Sequence, residues 1–207
     1  MIRAGFETID PFTGTRTVVK KGAEETSGRG WVIEVHCPEG ADPAILKHVH
    51  LEWNETFEII QGSARYVLGD EEKTAQAGET ISMPAAIPHT HPWNDGEGEM
   101  IYQQTNDFGA ANPEAVQDIL GVFATINGMA REGKIGDKGL PKNPLQFAAT
   151  LRTFDKHKGY DAAVPIGVQK VVAATLGRLA FALGYRGVYP KYLSPEATAR
   201  PMAVESA

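Results

Sequence analysis

The chain has 207 residues, with 20 Lys+Arg against 26 Asp+Glu, a formal net charge of −6 and a pI near 5.5. That balance argues against general nucleic-acid binding through phosphates. The single cysteine, Cys37, excludes an intrachain disulfide and a cysteine-rich zinc module. The length and a 42% hydrophobic content allow a core that folds without staples.

Met1 to Asp10 has no apolar run of the signal-peptide kind. The longest apolar stretch, Val164 to Tyr185, is interrupted by Lys170 and Arg178, so no membrane span is expected. A cytoplasmic protein is the expectation.

The first half reads as strands. Trp31 to Cys37 alternates, with Trp31, Ile33, Val35 and Cys37 on one face and Glu34 and His36 on the other. Thr56 to Ile60, Ala64 to Leu68, Thr80 to Met83 and Met100 to Gln104 are further short runs. Gly62-Ser63 and Gly69-Asp70 punctuate them as turns. Short strands at this spacing predict a mainly β sandwich or barrel.

The second half reads as helices. Asn112-Pro113-Glu114 and Asn143-Pro144 each set a cap residue before a proline at the first helical position. The apolar repeats that follow predict helices ending near Gly133 and Gly159. A third helix is expected from about Gly167 to Leu183, with Val168, Val171, Val172, Leu176, Leu179 and Leu183 gathered on its packed side. His157, between two lysines, is expected to be solvated. Residues 1–106 carry 8 basic and 17 acidic side chains, and residues 107–207 carry 12 and 9. The texture changes at the same place, which predicts a β domain over 1–106 and an α-helical extension over 107–207. That extension would cap the β domain or close a homodimer.

The chemistry is concentrated in two stretches. On a strand, His48 and His50 point to the same face with Cα atoms roughly 7 Å apart, close enough to converge on one ion. Glu55 follows after a short turn and can add a carboxylate oxygen. The second stretch, Pro84 to Asn94, offers a further imidazole from His89 or from His91, which shares its strand parity. Imidazoles plus one carboxylate, with no thiolate, suit a divalent Mn, Fe, Co, Ni, Cu or Zn ion.

These stretches resemble the two conserved motifs of the cupin superfamily. The first is matched by Gly40, seven residues, His48-Val49-His50, four residues, Glu55, six residues and Gly62. The second is matched by Gly78, five residues, Pro84-Ala85-Ala86, two residues and His89, with Asn94 beyond it. Ala86 stands where the family pattern has glycine. The resemblance implies a cupin-type jelly-roll β-barrel holding one divalent transition metal on His48, His50, Glu55 and His89. It also implies that Glu55 could leave the metal and act as a base. His91 is then the competing ligand or a partner behind the ligands.

Trp53, Phe57, Tyr66, Met83, His91 and Trp93 flank the motifs and are candidates for a substrate pocket. Only Lys47 and Arg65 lie near the motifs, which weighs against a sugar-phosphate substrate. The His-x-His, four residues, Glu spacing is similar to that of quercetinase-like cupins. That likeness implies an oxygenase acting on a small organic molecule, with an isomerase or a non-catalytic binding module as the other readings.

Overall fold

The computed structural model describes residues 1–43, 45–136 and 139–194. Two antiparallel sheets form a jelly-roll β-sandwich with a helical C-terminal part. The larger sheet runs in the order β1 (Glu7–Ile9), β2 (Arg16–Lys21), β3 (Gly30–Cys37), β10 (Met100–Asp107), β5 (Asn54–Gln61) and β8 (Thr80–Met83). The smaller runs β11 (Gly159–Asp161), β4 (His48–His50), β9 (His89–Asn94), β6 (Ser63–Leu68) and β7 (Glu71–Gln76). The two sheets do not close on each other, so the expected barrel is corrected to a sandwich.

Alternation makes the core. In β3 the inward side chains are Trp31, Ile33, Val35 and Cys37, as the sequence predicts. In β10 they are Met100, Tyr102, Gln104 and Asn106, and in β5 they are Glu55, Phe57 and Ile59. β10 and β5 thus carry apolar groups at one end of the buried face and polar groups at the other, whereas that of β3 is apolar throughout. Burial pushes the Cys37 thiol up to about 12, in keeping with a core residue.

The two expected helix starts are present. Asn112 caps α1 (Pro113–Arg131) by accepting from Ala115 N, and Asn143 caps α2 (Pro144–Lys156) by accepting from Leu145 N and Gln146 N. Val116, Ile119 and Leu120 of α1 join the sheet core. The C-terminal half also supplies a strand: β11 pairs with β4, setting Gly159 opposite His50 and Asp161 opposite His48.

Two expectations are overturned. His157 is buried, not solvated, because it occupies the C-cap of α2, where its Nε2 lies 2.8 Å from Asp118 Oδ2 on α1. The third helix is two helices, α3 (Ile166–Ala174) and α4 (Leu176–Ala182), broken at Thr175. Their packed side is made of Gln169, Ala173, Gly177 and Ala180, while Val168, Val171, Leu176, Leu179 and Leu183 are exposed. The reason at α4 is close approach: a Cβ on Gly177 would stand 2.8 Å from Arg152 Cβ on α2, so nothing larger than glycine fits there. Among the described residues, no helix is long and apolar enough to cross a membrane.

Candidate metal centre

The centre lies between the sheets. The smaller sheet supplies His48 and His50 from β4 and His89 and His91 from β9, and His48 and His89 are cross-strand partners. The larger sheet supplies Glu55 from β5 and the amides of Gln104 and Asn106 from β10. Stacking the two inner faces therefore brings four imidazoles onto one carboxylate. The donor atoms of His48, Glu55, His89 and His91 all lie within 4.8 Å of one another, a group that could hold a metal ion. Glu55 Oε2 is 2.9 Å from His91 Nε2, 3.2 Å from His89 Nε2 and 3.3 Å from His50 Nε2.

Local contacts set which ring nitrogens face the centre. His48 Nδ1 donates to the Leu46 carbonyl at 2.9 Å, and His89 Nδ1 donates to the Ile87 carbonyl at 2.8 Å. A carbonyl only accepts, so each ring turns a bare Nε2 lone pair inward. The His50 ring stacks on Trp53, with centroids 4.4 Å apart, and neither of its nitrogens has a hydrogen-bond partner among the described residues. Its approach to Glu55 is close but not aligned for a hydrogen bond.

Glu55 is fixed from the other side. Its Oε1 accepts from Asn106 Nδ2 at 2.7 Å, Gln104 Nε2 at 3.1 Å and Trp53 Nε1 at 3.4 Å. Gln104 Nε2 also donates to Asn106 Oδ1 at 2.8 Å, which locks the amide pair. Burial alone would raise the Glu55 carboxyl, but the imidazoles facing it, His91 first, hold it well below 4.5. Burial, followed by repulsion from the neighbouring imidazoles, pushes His48 well below 6.5. Burial likewise lowers His91, against the pull of Glu55. The result is a carboxylate oxygen facing the inward-turned Nε2 atoms of His48 and His89, acceptors turned toward an acceptor. A divalent cation satisfies that arrangement, and a buried acceptor left unmatched costs about 1–3 kcal/mol.

A cavity of about 510 Å³ opens beside this cluster. His48, Glu55 and His91 form one end, Ile33, Val35 and Tyr102 form a wall, and Phe123, Leu151 and Phe154 of the helices close over it. Of the six flanking residues expected to line a pocket, Trp53, His91 and Trp93 do so. Phe57 and Met83 are fully buried, and Tyr66 packs against the core from β6; these three do not line the cavity. Phe57 instead backs His91, their rings 4.9 Å apart.

Pro92 follows His91 within β9 and the strand continues through it to Asn94. It lies at the register shift between β6 and β9, where Arg65 pairs with Trp93 and Val67 with Thr90, so its missing N–H falls at an irregularity. Ala86 adopts φ 65, the left-handed conformation that glycine supplies in the motif, and its N–H donates to the His50 carbonyl at 2.8 Å. Sequence reasoning missed Gln104 and Asn106. Their signal was the β10 alternation, which places them inward with Met100 and Tyr102. It also left Asn94 without a role. The side chain of Asn94 donates to the carbonyls of Cys37, Pro38 and Gly98 and accepts from Gly96 N, tying the end of β3 to the β9–β10 connection.

Residues 33–102 match the family model described as Cupin domain. A predicted oxalate decarboxylase from Thermotoga maritima is similar, with 14% identity and a TM-score of 0.45 over 52% of this chain and 99% of that one. A sugar phosphate isomerase from Silicibacter pomeroyi shows 18% identity and a TM-score of 0.40 over 47% of this chain and 61% of that one. A Klebsiella pneumoniae protein with a double-stranded β-helix domain shows 22% identity and a TM-score of 0.41 over 51% and 87%. A search of curated proteins finds no match.

Proposed function

The chain is a cupin-domain protein, and on that premise we propose that it holds one divalent transition metal between its sheets and acts there as an oxygenase on a small organic molecule. The observation that carries this reading is the convergence of His48, Glu55, His89 and His91 within 4.8 Å at the end of a cavity. When bound, a redox-active ion would supply Lewis acidity and one-electron chemistry at positions the protein leaves open.

The proposed ligands are His48, His50, Glu55 and His89. His50 belongs with them because its buried nitrogens have no other partner. His48 and His91 both line the cavity; with His48 assigned to the metal, His91 is the imidazole left to take or return a substrate proton, in exchange with Glu55 Oε2 at 2.9 Å. Glu55 is held at Oε1 by three donors, which leaves Oε2 for the metal or for a proton from substrate. The apolar helices over the cavity exclude water from this end. An isomerase of phosphorylated sugars is disfavoured, because Lys47 is the only cationic side chain lining the cavity among the described residues.

The test is oxygen consumption by Fe-, Mn- and Ni-loaded protein across catechols, flavonols and diketones, alongside an isomerase panel. Substrate-dependent oxygen uptake supports the oxygenase. Isomerisation without uptake overturns it, and silence in both with ligand-induced thermal shifts makes the protein a binding module. The expected homodimer and cytoplasmic location belong to the same proposal; sedimentation and cell fractionation check them.

A further inference from the structure

The cavity, rather than the cluster, carries information about what the protein takes. Its walls come from both halves of the chain: Ile33, Val35 and Trp31 from the sheet, and Phe123, Leu151 and Phe154 from α1 and α2. Its charged lining includes Asp10, Asp42, Glu55 and Asp161 against one cation among the described residues, Lys47. A phosphate or carboxylate would meet more acids than bases, which leaves its desolvation poorly offset. The polar lining of the cavity includes Thr8, Thr15, Gln104 and Thr150. Lining donors that lack a hydrogen-bond partner among the described residues include the buried Trp31 Nε1 and the Tyr102 hydroxyl, which burial keeps protonated. The mouth is apolar too, with Phe12 and Leu46 about half exposed. A volume near 510 Å³ falls in the range that encloses drug-sized ligands.

We propose that this cavity binds an uncharged, mostly apolar organic molecule, aromatic or alicyclic, with a hydrogen-bond-accepting oxygen that meets Tyr102 and one oxygen-bearing end beside His48, Glu55 and His91. The α1–α2 pair is its lid and forms part of its walls. This deepens the metal-dependent reading above and rests on it for the orientation of the ligand, but not for the binding itself.

The probe is 2-naphthol, with glucose 6-phosphate as the charged comparison. Binding is followed by tryptophan fluorescence, since Trp31, Trp53 and Trp93 all line the cavity. Titrations use metal-free and Mn-treated protein, and bound Mn is measured in parallel. The proposal expects saturable 2-naphthol binding to both forms and none for glucose 6-phosphate. Leu151→Trp, which fills the cavity from α2, should weaken 2-naphthol by about tenfold or more with Mn uptake unchanged. Tyr102→Phe should weaken it by about threefold to tenfold, the loss of one hydrogen bond. Because Leu151→Trp could perturb packing, a second readout uses the wild type alone: bound Mn should broaden the proton resonances of 2-naphthol, and excess unlabelled ligand should relieve the broadening.

Absence of 2-naphthol binding, equal binding by Leu151→Trp of unchanged melting temperature, or preferential binding of glucose 6-phosphate overturns the proposal. Mn uptake without 2-naphthol binding would leave the metal reading standing and this one refuted. Binding of 2-naphthol without Mn uptake would do the reverse.

Discussion

Asn106 stands directly opposite Glu55 across β10 and β5, and its Nδ2 donates to Glu55 Oε1 at 2.7 Å. The pair shows how the site is built. One carboxylate oxygen is spent on neutral amides of its own sheet, and the other is presented to the imidazoles of the facing sheet. Removing the amide should loosen the carboxylate without removing any ligand. Asn106→Ala is therefore expected to lower metal affinity by about tenfold to a hundredfold, and Gln104→Ala to do less. Titration with a chelator-buffered metal checks this, and an unchanged affinity in both variants would refute the clamp.

The four imidazoles do not share one role. His50 has no partner but the proposed ion, whereas His91 also touches Glu55 and faces the cavity. His50→Ala should abolish tight metal binding. His91→Ala should retain metal within about tenfold but lose turnover, because the proton acceptor is gone. The reverse pattern would make His91 the ligand and His50 its support. Metal content and oxygen uptake of the two purified variants decide between these.

The pH dependence has a definite sign. His48 and His91 are held below 6.5 in the folded chain, chiefly by burial, and return to that value on unfolding. Below about pH 6.5 the unfolded chain therefore binds more protons than the folded one. Metal-free stability should be complete above that pH and fall as pH drops through 6.5 toward the folded values. Glu55, held below 4.5, extends the loss in the same direction at lower pH. Thermal melts of metal-free protein from pH 8 to pH 4.5 read this directly, and added metal should move the loss to lower pH. A melting temperature that rises on acidification would contradict the assignment.

Ala86 carries a left-handed backbone at φ 65 with an exposed side chain. Glycine relieves the Cβ crowding there, at the cost of a more flexible unfolded chain. Ala86→Gly is expected to stabilise the protein by about 0.5–1 kcal/mol, read as a higher denaturant midpoint at constant slope. Because the Ala86 N–H holds the His50 carbonyl, metal affinity should hold or rise with it.

Much of this was legible in the sequence, and the limits have physical reasons. The alternation in β3 and β10, the two Asn-Pro helix starts and the His-x-His…Glu spacing are local signals, and each placed its residues correctly in the fold. β7 gave no signal: its Glu71 to Gln76 run is an edge strand that buries Ala75 alone. The exposed face of α3 and α4 misled for a different reason. Helical periodicity finds an apolar stripe but cannot tell that a neighbouring helix approaches so closely that Ala173, Gly177 and Ala180 turn inward, with Gln169 beside them. The amide clamp was invisible because it depends on register: only the pairing of β10 with β5 sets Asn106 against Glu55. The cavity, likewise, needs residues from both halves of the chain, so no local pattern announces it.

The central claim is that four distant side chains assemble a site for one divalent transition metal. Elemental analysis of protein purified without a polyhistidine tag, before and after incubation with Mn, Fe, Ni or Zn and desalting, tests it most directly. The account predicts about one equivalent of metal per chain for wild type and little for His48→Ala or Glu55→Ala. Wild-type protein that takes up none of these ions, or variants that retain as much metal as wild type, would contradict it.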